Sequence, residues 1–370
     1  MYLKLLESFY KWNPELVEKM NDCSHHYGPD GLSIWHAEGS VWAHTMLMYK
    51  DFLSNSLQFR ANSEEMRFAL AIAILCHDTG KVITRIMNED KKRATFHGHE
   101  HASIQPAVDF IYYLKTTNQL PAFFTNEYVY KTLNIISNHM DYYRFDDEDA
   151  YTYLANKGNE LFILGKTLSA LDKRNSLDKE YRFLDEKIPK YMYVDDEKKQ
   201  IPECNIVIWC GVPASGKDCL AERAGGMICS YDNARIDLFK KAYPHSNIED
   251  QKLLHNQAWD YARWKQDELD ALLKAEVEAA VATGWKVHIC NTSRTRKSRR
   301  RLASLFSKHK MIVVYVVAPT EIINMRNKGR ATRTVPANVM EGMFNNQQIP
   351  SMWEFKGTNN VVGVGAVFND

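Results

Sequence analysis

Long hydrophobic runs are missing from this 370-residue chain. No stretch approaches the ~20 apolar residues that cross a bilayer, and the opening MYLKLLESFYKWNPEL has no leader pattern of basic residues followed by apolar ones. A membrane protein or a secreted one is not expected, and the expected compartment is the cytoplasm. The seven cysteines are odd in number, scattered, and without a Cys-x-x-Cys pair. Neither a disulfide framework nor a cysteine-built zinc knuckle is expected from them. Internal repeats and low-complexity tracts are absent, and β-branched runs are scarce before residue 190.

What is present suits two folded domains. The chain is 45% apolar and 25% charged, enough for two cores, and its length exceeds that of most single domains. A net charge of +1 conceals an asymmetry. Residues 1–200 carry 24 Lys and Arg against 29 Asp and Glu, and residues 201–370 carry 23 against 17, so the halves stand at −5 and +6. Nine of the 13 histidines precede residue 140. An acidic, histidine-rich half suggests a metal, and a basic half suggests phosphate or nucleic acid.

Over residues 1–190 apolar residues recur at three and four spacing in WAHTMLMYKDFL, EEMRFALAIAILCHD, PAVDFIYYL and YVYKTLNIISNHM. That period predicts an all-α bundle. Residues 191–203, within the charged, proline-flanked stretch PKYMYVDDEKKQIPE, read as a linker. From 204 to 370 the pattern changes. Short apolar runs, NIVIWC, KVHIC and MIVVYVVA, alternate with helical segments, which predicts a parallel sheet flanked by helices. The expected class is multidomain, α followed by α/β.

The first chemical motif is GVPASGK, a Gly-x-x-x-x-Gly-Lys between an apolar strand and a helix. Its glycines let successive backbone N–H groups point into one anion-sized hollow, and its lysine reaches the β- and γ-phosphates. The loop for ATP would comprise Gly211, Ala214, Ser215, Gly216, Lys217, Asp218 and Cys219. A glycine-rich turn that binds nothing is the alternative. In SYDNARIDLF, Asp232 and Arg235 lie one helical turn apart. A carboxylate there can take a proton from an attacking hydroxyl, and the arginine can hold a phosphate of the acceptor. In RNKGRATRTVP, Arg326, Arg330 and Arg333 lie at helical spacing and can stabilise charge on a transferred phosphoryl group. The run SRTRKSRRR, residues 293–301, can track a nucleic-acid backbone.

In that order, the loop, the Asp-x-x-Arg and the Arg-x-x-x-Arg followed by Val-Pro resemble the P-loop polynucleotide 5′-hydroxyl kinases, over most of residues 204–345. The resemblance implies that Asp232 is the general base, that Arg235 contacts the acceptor's 3′-phosphate, and that Arg326 and Arg330 close over ATP and Mg²⁺. Two positions depart from it. Asp218 stands where the family has Ser or Thr, and Asn291 stands where it tends to have an acidic residue. The charge facing magnesium would then have moved from a strand end to the loop, since Asp is a hard oxygen donor suited to Mg²⁺.

In the first half, ILCHDTGK places His77 and Asp78 at the end of an apolar helical stretch. Adjacent residues do not share a helix face, yet both can reach a metal held at the helix end. His44 precedes them; HGHEH (His97, His99, His101), His139 and Asp172 follow. Imidazole with carboxylate suits Zn, Mn, Fe, Co or Ni better than Ca. A helical bundle with incidental histidines is the alternative. The order His … His-Asp … Asp resembles the all-helical HD-domain phosphohydrolases over about residues 30–180. That resemblance implies His44, His77, Asp78 and Asp172 for one divalent transition metal and His99 with His139 for a second. His97 and His101 compete with His99, and Lys81 and Arg174 would bind phosphate.

Together the halves resemble the bifunctional end-healing enzymes called HD-Pnk. Such an enzyme removes a 2′,3′-cyclic or terminal phosphate from a broken RNA or DNA end and phosphorylates the 5′ end, leaving joining to a separate ligase. Two other readings stay open. One is a hydrolase regulated by a non-hydrolysing nucleotide-binding domain. The other is a hydrolase–kinase acting on small nucleotides.

Overall fold

The computed structural model describes residues 1–24, 39–54, 63–88, 93–143, 159–176, 204–330 and 334–370. The expected linker at 191–203 and Arg333 lie outside the described residues. The chain divides into two compact units, Met1–Lys199 with Phe344–Ile349, and Gln200–Met343 with Pro350–Asp370.

The first unit is mostly helical. Among the described residues its helices are α1 (Tyr2–Trp12), α2 (Pro14–Asp22), α3 (Val41–Ser54), α4 (Glu64–Cys76), α5 (Lys81–Thr84), α6 (His99–Ala102), α7 (Ile104–Thr116), α8 (Asn126–Tyr142) and α9 (Asn159–Asn175). The segments with a helical apolar period fall in α3, α4, α7 and α8. The central helix, α4, has a cap and charge pattern that fixes its start: Met66 N–H donates to Ser63 Oγ, and Glu64 and Glu65 occupy the first turn. From Phe68 to Cys76 it is buried on every side, as an all-apolar helix must be. Each of its fully buried Leu and Ile side chains contributes about 1.5–3 kcal/mol.

One expectation needs correction. The first unit is not purely α, because β1 (Ile86–Asn88) pairs antiparallel with β2 (Arg93–Thr95). The ribbon is half-exposed and three residues long on each side, so it leaves no apolar alternation for a sequence reading to find. The segment Phe344–Ile349 also packs within this unit. Ile349 is fully buried, its N–H donates to Ser137 Oγ (3.0 Å), and Gln347 Nε2 donates to Gln105 Oε1 (2.9 Å).

The second unit is built on five parallel strands: β3 (Ile206–Cys210), β4 (Met227–Ser230), β5 (Val287–Cys290), β6 (Met311–Val317) and β7 (Val361–Phe368). Their order is β4-β5-β3-β6-β7. β3 is buried throughout, as the middle strand of a sheet covered on both faces should be. The chain leaves β3 toward one edge and later fills the other, so the order reverses at β3. Ligands of such sheets bind beyond the carboxyl ends of the strands at that switch point. The helices are α10 (Lys217–Ala224), α11 (Tyr231–Ala242), α12 (Gln251–Ala262), α13 (Gln266–Ala282), α14 (Arg296–Leu305), α15 (Thr320–Lys328) and α16 (Ala337–Phe344). β7, VVGVGAVF, was not expected. Gly363 and Gly365 thin its side-chain pattern, and pairing with β6 makes it a strand.

Candidate active sites

In the helical unit, α3, α4, α6, α8 and α9 bring six predicted ligands into two groups. His44, His77 and Asp172 form one, and Asp78, His99 and His139 the other; within each, the ligating atoms lie within 4.8 Å of one another and every residue is buried. His44 Nε2 lies 2.9 Å from Asp172 Oδ1. Asp78 Oδ2 lies 3.3 Å from His77 Nε2, and Asp78 Oδ1 lies 3.3 Å from His99 Nε2. The adjacent pair His77 and Asp78 therefore joins the groups, one residue to each.

The histidines are oriented by their own helices. His77 Nδ1 donates to Ile74 O, His99 Nδ1 to Phe96 O and His139 Nδ1 to Ile136 O, at 2.8–2.9 Å. A neutral imidazole that donates through Nδ1 presents a lone pair at Nε2. His99 Nε2 and His139 Nε2 face each other at 3.1 Å, so two lone pairs meet unless a cation intervenes. Burial, then His99 and His77, lower His139 to about 4, so its own ring is neutral at neutral pH. Burial alone would raise Asp78, but His77 and Lys81 outweigh it and hold the carboxyl well below its usual range. Asp172 is likewise held low, burial being outweighed by His44. The residues fit a divalent transition metal, with imidazole nitrogen and carboxylate oxygen brought together from five helices.

The three candidates in HGHEH separate in space. His99 joins the groups, His97 is exposed, and His101 lies 3.1 Å from Gln348. Lys81 is buried and pairs with Asp78 at 2.7 Å. Arg174 is half-exposed and pairs with Asp51 at 3.5 Å. Sequence reasoning missed three residues here. Tyr143 hydroxyl donates to Asp172 Oδ2. Ser103 Oγ accepts from Gly80 N–H (2.8 Å) and donates to His77 O (2.6 Å), tying α6 to the ligand turn. Gly80 lets that contact close, since a Cβ there would lie 2.2 Å from His99 O. Only the Gly of the doublet's Asp-Thr-Gly-Lys was a visible signal.

In the second unit the loop after β3 turns at Gly211 (φ +137°) and Gly216 (φ +91°), in the region glycine favours. A Cβ at 211 would lie 2.4 Å from Val316 O. Lys217 is buried at the start of α10, with Nζ donating to Val212 O at 2.8 Å and toward Ser215 Oγ at 3.5 Å. Burial lowers its pKa, Asp218 offsets part of this, and the charge of Arg330 adds to it. Arg326 lies at the loop. Its Nη1 donates to Asn369 O at 3.3 Å, while Asn369 Nδ2 donates to Ser215 O at 2.7 Å. Asn369, carried by the end of β7, was missed with that strand.

Asp218 and Cys219 are exposed in the first turn of α10. The Cys290 thiol at the end of β5 is pushed up by burial and by the charge of Asp218. Asn291 follows there, its Oδ1 accepting from Thr292 N–H. Asp232, 54% exposed, opens α11 and pairs with Arg235 at 2.6 Å. The basic run is a correction in part. It forms α14, and Arg299 is wholly buried against Glu354 while Arg301 pairs with Asp270 and Tyr231. Two of its cations hold the fold, Arg299 through Glu354 and Arg301 through Asp270.

A family model described as an AAA domain matches residues 206–349. That stretch is a P-loop, kinase-like domain on a parallel sheet, and such a domain binds nucleotide with Mg²⁺. No curated protein matches the chain. No described helix is long and apolar enough to cross a membrane.

Proposed function

We propose that the chain heals broken nucleic-acid ends with two activities, an ATP-dependent 5′-hydroxyl polynucleotide kinase and an HD-type metal-dependent phosphohydrolase acting on 2′,3′-cyclic or terminal phosphates. The observation that carries the kinase half is Arg326 reaching the loop that holds Lys217, through Asn369 and Ser215, with Asp232 on the helix after the next strand. The phosphohydrolase half is carried by the six converging ligands.

In the kinase, backbone N–H groups of residues 211–217 and the Lys217 ammonium hold the ATP phosphates. Asp232 takes the proton of the acceptor's 5′-hydroxyl. That oxygen bonds to the γ-phosphorus as the bond from phosphorus to the β,γ-bridging oxygen breaks, and ADP leaves. Arg326 and Arg330 neutralise charge on the equatorial oxygens. Asp218 would hold Mg²⁺, which neutralises phosphate charge when bound. In the hydrolase, His44, His77, Asp78, His99, His139 and Asp172 would hold one or two of Mn, Co, Ni, Fe or Zn, and the metal supplies Lewis-acid charge at the phosphoester. Lys81 fixes the Asp78 carboxylate, and Arg174 would reach substrate phosphate by leaving Asp51.

The test is transfer of the γ-phosphoryl group to a 5′-hydroxyl RNA oligonucleotide, beside hydrolysis of a 2′,3′-cyclic phosphate end. Lys217→Ala should abolish transfer and leave hydrolysis intact, and Asp78→Ala should do the reverse. Nucleotide binding without transfer in the unsubstituted chain would overturn the kinase half.

A further inference from the structure

Trp264 of the second unit stands in water at 86% exposed, whereas a ring of this size ordinarily buries most of its surface, and two neighbouring rings are partly exposed, Tyr243 at 49% and Trp259 at 37%. Several carry a cation. The Arg235 guanidinium lies 4.2 Å from the Trp259 ring centroid, Arg263 lies 5.1 Å from Trp264, and Lys265 lies 5.2 Å from Tyr261.

Their position is fixed by the sheet. α11 follows β4 and so begins at the carboxyl end of the strands, where the phosphate loop lies. Tyr231, beside Asp232, donates to Asp270 in the second turn of α13 (2.6 Å). Trp264, two residues ahead of α13, is therefore at the same end. Trp259 faces Arg235, the residue paired with Asp232. Arg263 follows Trp259 by four residues, one helical turn or about 6 Å along. Asp260 and Arg263 lie between the two indoles along the chain. Alternating π-faces and guanidinium groups suit a chain of bases joined by phosphates.

We propose that Trp259 and Trp264, with Arg235 and Arg263, form a stacking track for single-stranded nucleic acid that leads the acceptor's 5′ end to Asp232. The proposal rests on the kinase reading above and names the surface that selects a polynucleotide over a mononucleotide. A base stacks on the exposed indole of Trp259 while Arg235 holds the phosphate on its 3′ side. The following base stacks on Trp264, with Arg263 at the next phosphate. With two phosphates neutralised, binding should fall with salt at a slope of roughly −1.4 on a log–log plot.

The experiment measures anisotropy of a labelled 5′-hydroxyl hexanucleotide, as RNA and as DNA, against the full chain without ATP. A second arm compares transfer to that hexanucleotide with transfer to a nucleoside 3′-monophosphate. Trp259→Ala and Trp264→Ala should each weaken binding roughly 5- to 100-fold, with Trp259→Phe recovering most of it and Trp285→Phe changing nothing. Trp264→Ala should raise KM for the hexanucleotide and leave KM for the mononucleotide unchanged. Tryptophan-dependent binding of either strand supports the track, and the tighter strand names its source. Tryptophan-dependent binding without phosphoryl transfer keeps the track and overturns the kinase reading. Transfer with both alanine variants binding like the unsubstituted chain overturns the track.

Discussion

His99 and His139 present lone pairs to each other at 3.1 Å, and their Nδ1 protons are already committed to backbone carbonyls. Removing one ligand should therefore cost metal and little else. His139→Ala is expected to lower metal affinity at least about tenfold, read as metal content after dialysis. The metal-free chain should be acid-sensitive with a definite sign. His139 is lowered in the fold to about 4, so its neutral form contributes stability above the unfolded value near 6.5, and that contribution is lost as pH falls toward 4. Asp172 and Asp78, also lowered, lose theirs at still lower pH. A melt of the metal-free chain should fall in temperature from about pH 6.5 downward; a flat profile would contradict the buried neutral His139. At the loop, Asp218→Ser tests whether the carboxylate serves Mg²⁺. Activity should fall at least about tenfold, measured as transfer rate against Mg²⁺ concentration, and a rise would show the carboxylate to be a hindrance.

At the scale of elements, the ligand turn after α4 is held by a neighbour of one turn. α6 carries His99 on four residues, too short to hold itself, and is tied through Ser103 to Gly80 N–H and His77 O. Ser103→Ala strands a buried N–H, which costs about 1–3 kcal/mol. It should lower both the melting temperature and the metal affinity. Gly80→Ala should do more, because the clash is with backbone at 2.2 Å and α6 must move. A metal titration separates these from the neutral case. The sequence pattern showed a Gly after the doublet; it did not show that His99 lies against it, since the two are 19 positions apart in the chain.

For the whole molecule, the helical unit is not a continuous stretch. Residues Phe344–Ile349 belong to it, with Gln347 and Ile349 buried in it. A fragment of residues 1–200 lacks those contacts and should melt below the helical transition of the full chain. In the full chain, Gln347→Ala should cost about 0.5–1.5 kcal/mol by removing its hydrogen bond to Gln105 Oε1. Equal melting of fragment and full chain would show the segment to be incidental.

The sequence by itself determined what local chemistry determines. Apolar period marked α3, α4, α7 and α8, apolar runs marked β3, β5 and β6, and the spacing in GVPASGK required a turn of backbone amides before a lysine. The resemblance to the HD-domain phosphohydrolases, carried by those histidines and aspartates, also named the six residues that the fold gathers into the two groups. Tertiary structure decided what depends on distant residues meeting. It chose His99 over His97 and His101, placed His77 and Asp78 in separate groups, and made a strand of glycine-bearing β7 by pairing it with β6. It also buried Arg299 against Glu354, turning part of an apparent nucleic-acid track into a fold contact. Those outcomes rest on pairings between residues distant in the chain, such as His99 with His139, and a period read along the chain carries no information about which distant side chain closes the contact.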